Sequence, residues 1–234
     1  MIKNFKASEK IGDIVSRFPK AAEIFKAYNI DFCCGGDRPL SQAMEEQNLN
    51  QREVLDKLEE KYNELRNMQL EEMDFRKLSM TELIDHIMNT HHVFVKTELP
   101  RIGDLIAKIL RVHSVEHGQE LLQVHKLFSN LRMEMEQHLI KEEAILFPKI
   151  KDYEKTPSDQ QLTEIISVMK ETENEHDGAG DLIKSLRKVT NGFTAPSDSC
   201  ASFVLTYKRL EAFESDLFQH IHLENNILFP RLKK

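Results

Sequence analysis

One short pattern occurs twice in the chain and places a histidine four residues before a glutamate. The segment QHLIKEEAILFP covers residues 137–148, and the segment QHIHLENNILFP covers residues 219–230, an offset of 82 residues. Residues four apart lie on one face of an α-helix, one turn from each other. Imidazole and carboxylate groups placed in this way are typical metal ligands. The two pairs are His138 with Glu142 and His220 with Glu224.

The residues around these pairs indicate whether each pair is a surface ion pair or part of a metal site. A single pair of this kind is usually solvated, but here two pairs share one register, and each is followed by the apolar residues Ile-Leu-Phe. If those apolar residues face a core, the histidine and the glutamate face it too, and burying them without partners is unfavourable. A metal ion that binds both groups removes this conflict. The repeat therefore predicts a buried metal site.

Two further helices must complete such a site with ligands of their own. His176, in ENEHDGAG, is the only histidine of its segment. In the earlier segment LIDHIMNTHH, three histidines compete for the equivalent position: His86, His91 and His92. The spacing to the next His-x-x-x-Glu pair differs by one residue between His91 and His92. Spacing therefore leaves the choice between these two open.

The combined set contains four imidazoles and two carboxylates from four helices. Mixed nitrogen and oxygen ligands suit iron or manganese, and a structural zinc site fits less well because the set contains no thiolate. Two carboxylates can also bridge two metal ions, one for each half of the repeat. Ferritin-like di-iron bundles use Glu-x-x-His, with carboxylates in the majority. The reversed order and the histidine majority found here indicate a hemerythrin-like site.

Long helices must position these ligands. Ser79 and Glu82 form a helix start signal, and apolar residues recur after them at helical spacing. Three further long helices are predicted, over about residues 116–147, 160–190 and 200–229. Four long helices with short connections predict an all-α, antiparallel four-helix bundle over residues 77–234. The sequence of residues 1–76 predicts a small helical domain, which ends in a polar linker over about residues 61–76.

Three other residues have side chains that can bind metal ions but are not interpreted as metal ligands. His113 and His117 also have a spacing of four, but they lie near the predicted turn between the first two long helices. They are interpreted as surface or loop residues because this position is far from the level of the proposed ligands. Cys200, at the start of the fourth long helix, is interpreted as structural.

The composition excludes several functional classes. The 234 residues are 40% apolar and 30% charged, which suits one or two soluble domains. A net charge of -7 argues against nucleic-acid binding, since binding phosphates needs a basic face. No apolar run is long enough to span a bilayer, and the N-terminus has no apolar signal segment. Three cysteines do not form a secreted disulfide framework, so a cytoplasmic location is predicted.

The segment DFCCGGDRP, at residues 31–39, places two thiols directly before two glycines. Adjacent thiols can bind iron, pass it on, or form a disulfide in a redox step. Gly35 and Gly36 permit a tight turn that would expose Cys33 and Cys34. The alternative interpretation is that two small residues merely fill a turn.

Together these segments resemble the iron–sulfur cluster repair di-iron proteins, the family of the RIC, YtfE and ScdA proteins, over almost the whole chain. KAAEIFKAYNIDFCCGG is similar to the N-terminal domain of that family. LIDHIMNTHH, ENEHD and the two repeat copies are similar to its hemerythrin-like bundle. The resemblance implies that the second histidine of the pair HH is the ligand. The implied metal ligands are His92, His138, Glu142, His176, His220 and Glu224.

The resemblance also implies a cofactor and a role for the thiols. Two non-heme iron ions per chain are expected, with Glu142 and Glu224 as bridging carboxylates. Cys33 and Cys34 are expected to act with this centre as a thiol relay. Oxygen-carrying hemerythrins have a further histidine one turn after the ligand of the third helix, and Gly180 occupies that position here. This difference favours an open, exchangeable iron over reversible oxygen storage.

The implied function is repair of iron–sulfur clusters damaged by oxidative or nitrosative stress, through supply of iron. Damaged iron–sulfur proteins would then be the clients, and the family is associated with homodimers. One alternative is reduction of nitric oxide to nitrous oxide at the two irons, with the thiols or an external donor supplying electrons. Another is a module that senses oxygen or nitric oxide, which would need a signalling output domain that the sequence does not indicate.

Overall fold

The computed structural model of the chain describes residues 4–67 and 74–233. All regular secondary structure in these ranges is helical, and the only extended pairing there is a single bridge between Lys10 and Pro39. The all-α prediction is therefore confirmed. None of the helices within the described ranges combines the length and the apolar character that a membrane crossing requires.

Short helices precede one longer helix in the N-terminal region. They are α1 (Ile11–Arg17), α2 (Ala21–Ala27), α3 (Leu40–Glu46), α4 (Gln51–Asn67) and a 3₁₀ turn (Phe75–Lys77). The prediction of a small helical region at this end of the chain is confirmed. Residues 68–73 of the predicted linker lie outside the described residues, and residues 61–67 belong to α4.

Long helices form most of the remaining chain. They are α5 (Met80–Ile87), a π-helical turn (Met88–His92), α6 (Val93–Val112), α7 (Ser114–Lys141), a π-helical turn (Glu142–Leu146), α8 (Phe147–Lys155), α9 (Asp159–Val189), α10 (Ala201–His222), a π-helical turn (Leu223–Leu228) and a 3₁₀ turn (Phe229–Arg231). Each π-helical turn follows its helix without a break. The chain therefore forms four long helical rods, namely α5–α6, α7–α8, α9 and α10 with its extension.

The chain divides into two compact units. Unit 1 consists of Met1–Leu83 together with Gln219–Lys234, and unit 2 consists of Ile84–Phe218. In unit 1 an aromatic cluster joins the start of the chain to α1 and α4, with ring centroids 5.3 to 5.7 Å apart. The rings belong to Phe5, Phe18 and Tyr62.

Side-chain contacts show that the helices of unit 2 are antiparallel. Asp85 contacts Lys151, whereas Lys96, further along the first rod, contacts Glu143, which comes earlier in the second. Contacts between α7–α8 and α9 follow the same reversed order, and so do contacts between the first rod and α10. These helices are therefore antiparallel as well. Apolar residues at helical spacing are fully buried along all four rods. The predicted antiparallel four-helix architecture is therefore confirmed.

Candidate metal centre

A π-helical turn occurs in each copy of the repeated pattern, at the glutamate. The first copy has its turn at Glu142–Leu146 and the second at Leu223–Leu228. In both copies a proline, Pro148 or Pro230, is the second residue after the turn. Proline lacks an N–H, and in a regular helix its ring clashes with the carbonyl four residues earlier. The wider turn accommodates this proline, and π-helical turns are frequent at functional sites.

Four predicted ligands of unit 2 converge on one another. The Nε2 atoms of His92 and His138 lie 3.3 Å from the two carboxylate oxygens of Glu142. His176 Nε2 lies 3.2 Å from His138 Nε2 and 4.0 Å from Glu142 Oε1. All four side chains are nearly or fully buried. The imidazoles thus present their Nε2 atoms to a single buried carboxylate.

Two of these imidazoles are oriented by a second carboxylate at the opposite ring nitrogen. His92 Nδ1 is 2.7 Å from Glu143 Oε1, and His138 Nδ1 is 2.9 Å from Glu175 Oε2. The hydrogen bond with His138, reinforced by Lys141, lowers the pKa of Glu175 to about 2. An ionised carboxylate accepts the Nδ1–H and leaves the Nε2 lone pair for a metal, as is usual for metal-binding histidines.

These orienting carboxylates have no direct signal in the sequence. Glu143 and Glu175 each lie next to a predicted ligand in sequence, but adjacent helical residues do not share a face. Their contact with the ring nitrogen depends on a neighbouring helix in each case. Only the packing of the helices reveals them.

In unit 1, the second copy of the pattern provides its own histidine and glutamate. His220 Nε2 lies 3.1 Å from Glu224 Oε1, and both side chains are fully buried. The pair lies in the last turn of α10 and the π-helical turn that follows it. Its spacing of four therefore produces the contact that the sequence predicted.

Two groups of buried potential ligands occur among the described residues, and Glu142 and Glu224 belong to both. Within each group, one ligand atom per residue lies within 4.8 Å of the others. The groups are His92, Glu142, His220 and Glu224, and His138, Glu142, His176 and Glu224. The six predicted ligands are the members of these two overlapping groups, which are consistent with a metal site.

The donor chemistry of these groups fits a metal ion better than a structural ion pair. Other buried glutamates of the bundle have arginine partners: Glu214 accepts from Arg187 Nε at 2.6 Å, and Glu98 accepts from Arg209 at 2.6 Å. Glu142 contacts imidazoles instead, which are metal ligands when neutral. A bound cation would offset the charge of the two buried carboxylates.

His91, the alternative that spacing left open, has a different environment. Its Nδ1 lies 2.9 Å from Asp216 Oδ1, and its ring packs against His86 with centroids 5.9 Å apart. The structure places His92, and not His91, in the ligand groups. The metal-ligand role of His92 remains a prediction.

His113 and His117 lie outside both ligand groups. His113 Nε2 is 3.2 Å from the sulfur of Cys200, and His117 Nε2 is 3.1 Å from the carboxylate of Asp198. The side chain of Cys200 is exposed, and its hydrogen bond with His113 lowers the thiol pKa to about 7. The sequence did not indicate this contact between a histidine and a cysteine.

The thiol pair lies in unit 1, in a turn that Asp31 organises. Asp31 Oδ1 accepts from the backbone N–H groups of Cys33 and Gly35, each at 3.1 Å, and from the Cys33 thiol at 3.3 Å. The two sulfurs are 3.9 Å apart and are not joined by a disulfide. The hydrogen bond with the Cys34 thiol, burial and the nearby Asp31 carboxylate raise the pKa of Cys33 well above its usual range.

The predicted exposure of both cysteines is wrong for Cys33. Cys33 is 2% exposed and Cys34 is half-buried. The reason is that the turn packs against other residues of unit 1 and does not project into solvent. Neither glycine of the turn has a positive φ, so Gly36 is required by close packing and not by left-handed backbone geometry.

Comparison with known families and proteins agrees with this architecture. The hemerythrin HHE cation-binding domain family matches residues 83–232, and ScdA_N, a domain of unknown function, matches residues 7–62. A probable iron-sulfur cluster repair protein from Haemophilus influenzae is 36% identical and covers 97% of both chains. The iron-sulfur cluster repair protein YtfE is 34% identical in Dickeya chrysanthemi (95% of this chain, 96% of that one) and in Escherichia coli O81 (95% and 96%).

The hemerythrin match includes every residue of both ligand groups, and the ScdA_N match includes the thiol turn. The relatives cover both regions in a single alignment. The chain therefore belongs to the YtfE family of iron–sulfur cluster repair proteins, in which an N-terminal ScdA domain precedes a hemerythrin cation-binding domain.

Proposed function

We propose that this chain is a di-iron protein that repairs iron–sulfur clusters damaged by oxidative or nitrosative stress, and that it supplies iron to them. The observation that carries the proposal is the pair of overlapping buried ligand groups that share Glu142 and Glu224. Relatives named for iron–sulfur cluster repair, similar over nearly the full chain, support it. The partners would be damaged iron–sulfur proteins.

In this proposal each of two iron ions would be held by two histidines, and two carboxylates would be shared between the ions. Imidazole nitrogen with carboxylate oxygen is a donor set that suits non-heme iron. The first pair of histidines would be His92 and His220, the second would be His138 and His176, and the shared carboxylates would be Glu142 and Glu224. When bound, iron supplies a redox-active and exchangeable Lewis acid at this position.

The chain's own residues orient the ligands and leave room for exchange. Glu143 and Glu175 fix the rings of two histidines through Nδ1, so that each Nε2 remains directed at Glu142. Lys96 and Lys141 contact these orienting carboxylates and favour their ionised form. Gly180, buried in α9 one turn after the histidine of that helix, adds no ligand, which supports an iron that can leave.

Cys33 and Cys34 are proposed as the relay between the metal centre and a client. Their sulfurs, 3.9 Å apart, could together bind an iron ion in transit once deprotonated. The raised pKa of Cys33 keeps that thiol protonated at neutral pH until such an ion arrives. An iron ion favours the thiolate, since metal binding releases the proton of a cysteine ligand.

The proximity of the two sulfurs also supports a second candidate function, reduction of nitric oxide. Oxidation of two thiols to one disulfide releases two electrons and two protons. Conversion of two nitric oxide molecules to nitrous oxide and water consumes the same two electrons and two protons. The thiol pair is thus a stoichiometrically sufficient donor for one turnover. Sensing of oxygen or nitric oxide has no comparable observation in its favour.

The proposal also covers the cellular location, the oligomeric state and the domain boundary of the protein. A cytoplasmic location is proposed because three cysteines are too few for a disulfide framework of the secreted kind. A homodimer is proposed from the resemblance to the family. Residues 1–76 are proposed as the thiol-bearing domain and residues 77–234 as the metal-binding bundle, a division that the two family matches support.

The proposal is tested by metal content and repair measured on the same full-length protein. Anaerobically iron-loaded protein should contain about two iron ions per chain and should reactivate aconitase inactivated by peroxide or nitric oxide. Glu142→Leu and Glu224→Leu should each lower both values, because the metal ions lose a shared negative ligand. The matched controls are His113→Leu and His117→Leu, which remove imidazoles outside the ligand groups.

Two results would contradict this proposal. The first is a wild-type protein that folds but retains no iron after desalting. The second is an equal loss of iron in the His113 and His117 variants, which would place the metal elsewhere. Iron retention without reactivation of aconitase, combined with nitrous oxide production from nitric oxide, would favour the second candidate function.

A further inference from the structure

The two copies of the repeated pattern keep the same metal-facing residues but differ at five other positions, two of which concern one helix face. His222 and Asn226 of the second copy correspond to Ile140 and Ala144 of the first. Ile140 is 67% exposed and Ala144 is exposed, whereas His222 is 1% exposed and Asn226 is half-buried. The same helix face is therefore open to solvent in the first copy and covered in the second.

In the second copy the covering element is the thiol turn itself, which lies in the same compact unit. Asn226 Nδ2 donates to the backbone carbonyls of Cys33 at 2.8 Å and of Phe32 at 3.3 Å. His222 Nδ1 lies 3.3 Å from the Phe32 carbonyl, and the two rings are in edge contact with centroids 6.0 Å apart. Two side chains of the second copy thus bind the backbone that precedes and contains the thiols.

Two glycines make space for the Asn226 amide. A Cβ atom at Gly36 would lie 2.3 Å from Asn226 Oδ1, and one at Gly12 would lie 2.5 Å from it. The two glycines are also hydrogen-bonded to each other, from Gly12 N–H to the Gly36 carbonyl at 2.7 Å. The amide therefore fills a gap between α1 and the thiol turn that any side chain at either position would close.

We propose that Asn226 is a positioning residue that docks the Cys33–Cys34 turn onto the helical turn containing Glu224, so that the thiols act from a fixed position. Asn226 and Glu224 belong to the same π-helical turn, two residues apart. A docked thiol pair is thereby tied to the backbone that presents Glu224, a carboxylate of both ligand groups. The role in repair rests on the proposed function, whereas the docking itself does not.

The test compares thiol protection with metal content in iron-loaded, full-length protein. Asn226→Ala installs the residue of the first copy, and Asn226→Asp keeps the shape but removes both N–H donors. Alkylation of Cys33 by iodoacetamide, followed by mass spectrometry, should become about tenfold faster in both variants, because buried carbonyls lose their donor. Iron per chain should equal the wild-type value, and reactivation of damaged aconitase should fall at least about fivefold.

Internal and matched controls separate docking from general unfolding. The exposed Cys200 thiol should be alkylated at the same rate in all proteins. Asn130→Ala makes the same substitution at an exposed site of α7 and should leave both Cys33 protection and repair unchanged. Alkylation of Cys33 at the wild-type rate in both Asn226 variants would overturn the docking.

The repair measurement tests separately whether the docked position of the thiols is needed for repair. Faster alkylation of Cys33 with undiminished repair would overturn the need for a docked thiol pair. If the wild-type protein itself fails to reactivate aconitase, the proposed function fails, while the alkylation rates still decide whether Asn226 docks the turn. Variants that lose iron together with Cys33 protection would show that Asn226 maintains the metal centre, and this too would overturn the role proposed here.

Discussion

Neighbouring groups shift the pKa values of two cysteines, Cys33 and Cys200, in opposite directions. Cys33 is buried beside a second thiol and a carboxylate, which disfavours its thiolate and raises its pKa. Cys200 is exposed at the start of α10, where His113 and two backbone N–H groups favour the thiolate. The protonation state expected of these two thiols at neutral pH therefore follows from their contacts.

Reactivity of Cys200 should accordingly depend on pH within the physiological range. Because the thiolate is the nucleophile and the pKa is lowered to about 7, the alkylation rate should rise through pH 7 and level off about one to two units above it. His113→Gln removes the hydrogen-bonding imidazole and should move the midpoint upward, towards the ordinary thiol value of about 8.5. Rates of iodoacetamide labelling between pH 5.5 and 9.5, resolved by peptide, measure both midpoints.

The matched comparison for this experiment is His117→Gln. His117 contacts Asp198 and not the sulfur, so its replacement should leave the Cys200 midpoint nearly unchanged. A midpoint near 8.5 in the wild-type protein would refute the contact with His113. Identical midpoints in the His113→Gln and wild-type proteins would assign the lowered pKa of Cys200 to the helix start alone.

At the scale of elements, much of the fold was predictable because each helix has local signals that agree with its packing. Ser79 and Glu82 form the reciprocal cap that their spacing predicts, with Glu82 N–H donating to Ser79 Oγ at 3.1 Å and Ser79 N–H to Glu82 Oε2 at 2.8 Å. Apolar residues at helical spacing face the core. Two residues four apart on a helix contact each other regardless of tertiary context.

The π-helical turns and the docking of the thiol turn were not predictable in the same way. The helical periodicity of the apolar residues does not reveal one locally widened turn. The proline six residues after each of the glutamates Glu142 and Glu224 is nevertheless a usable signal for two of these turns. The turn at Met88–His92 has no such proline, and its sequence gives no sign of it. Docking of residues 31–36 onto residues 222–226 joins residues that are 190 and 193 positions apart in the sequence, and no local pattern specifies such a contact.

The prolines offer a test of whether the widened turns set the ligand geometry. Pro148→Ala restores an N–H and removes the clash with the carbonyl of Ala144, so a regular helix becomes favourable there. Reversion of the π-helical turn would rotate Glu142 relative to the residues beyond the turn, by roughly 100° for each residue of register change. Iron per chain should therefore fall in Pro148→Ala and in Pro230→Ala, as measured by elemental analysis.

Pro100→Ala is the control for this substitution. Pro100 lies inside α6 at an exposed position with no π-helical turn beside it, so its replacement should preserve the iron content. Unchanged iron in all three variants would show that other packing maintains the widened turns without the prolines. Loss of iron in Pro100→Ala alone would point to the first rod as the sensitive element.

At the scale of the whole molecule, the two ends of the chain belong to one compact unit although they are far apart in the sequence. The last sixteen residues, with His220 and Glu224, belong to the compact unit formed by the N-terminal helices. Arg231 donates to the carbonyls of Leu78 and Phe75, and Asn226 donates to the thiol turn. Residues that the repeat assigns to the metal-binding bundle are thus packed within the N-terminal unit as well.

This packing predicts a specific consequence of removing residues 1–76. The shortened chain should still form helices, because the apolar stripes of α6, α7 and α9 pack within unit 2. Residues 219–233 should lose their protection, since the thiol turn and α1 no longer cover them. Hydrogen exchange measured by mass spectrometry should show faster deuterium uptake at residues 219–233 and nearly unchanged uptake in the middle of α9. Equal protection of residues 219–233 in both chains would instead establish the bundle as an independent folding unit with its boundary near residue 76.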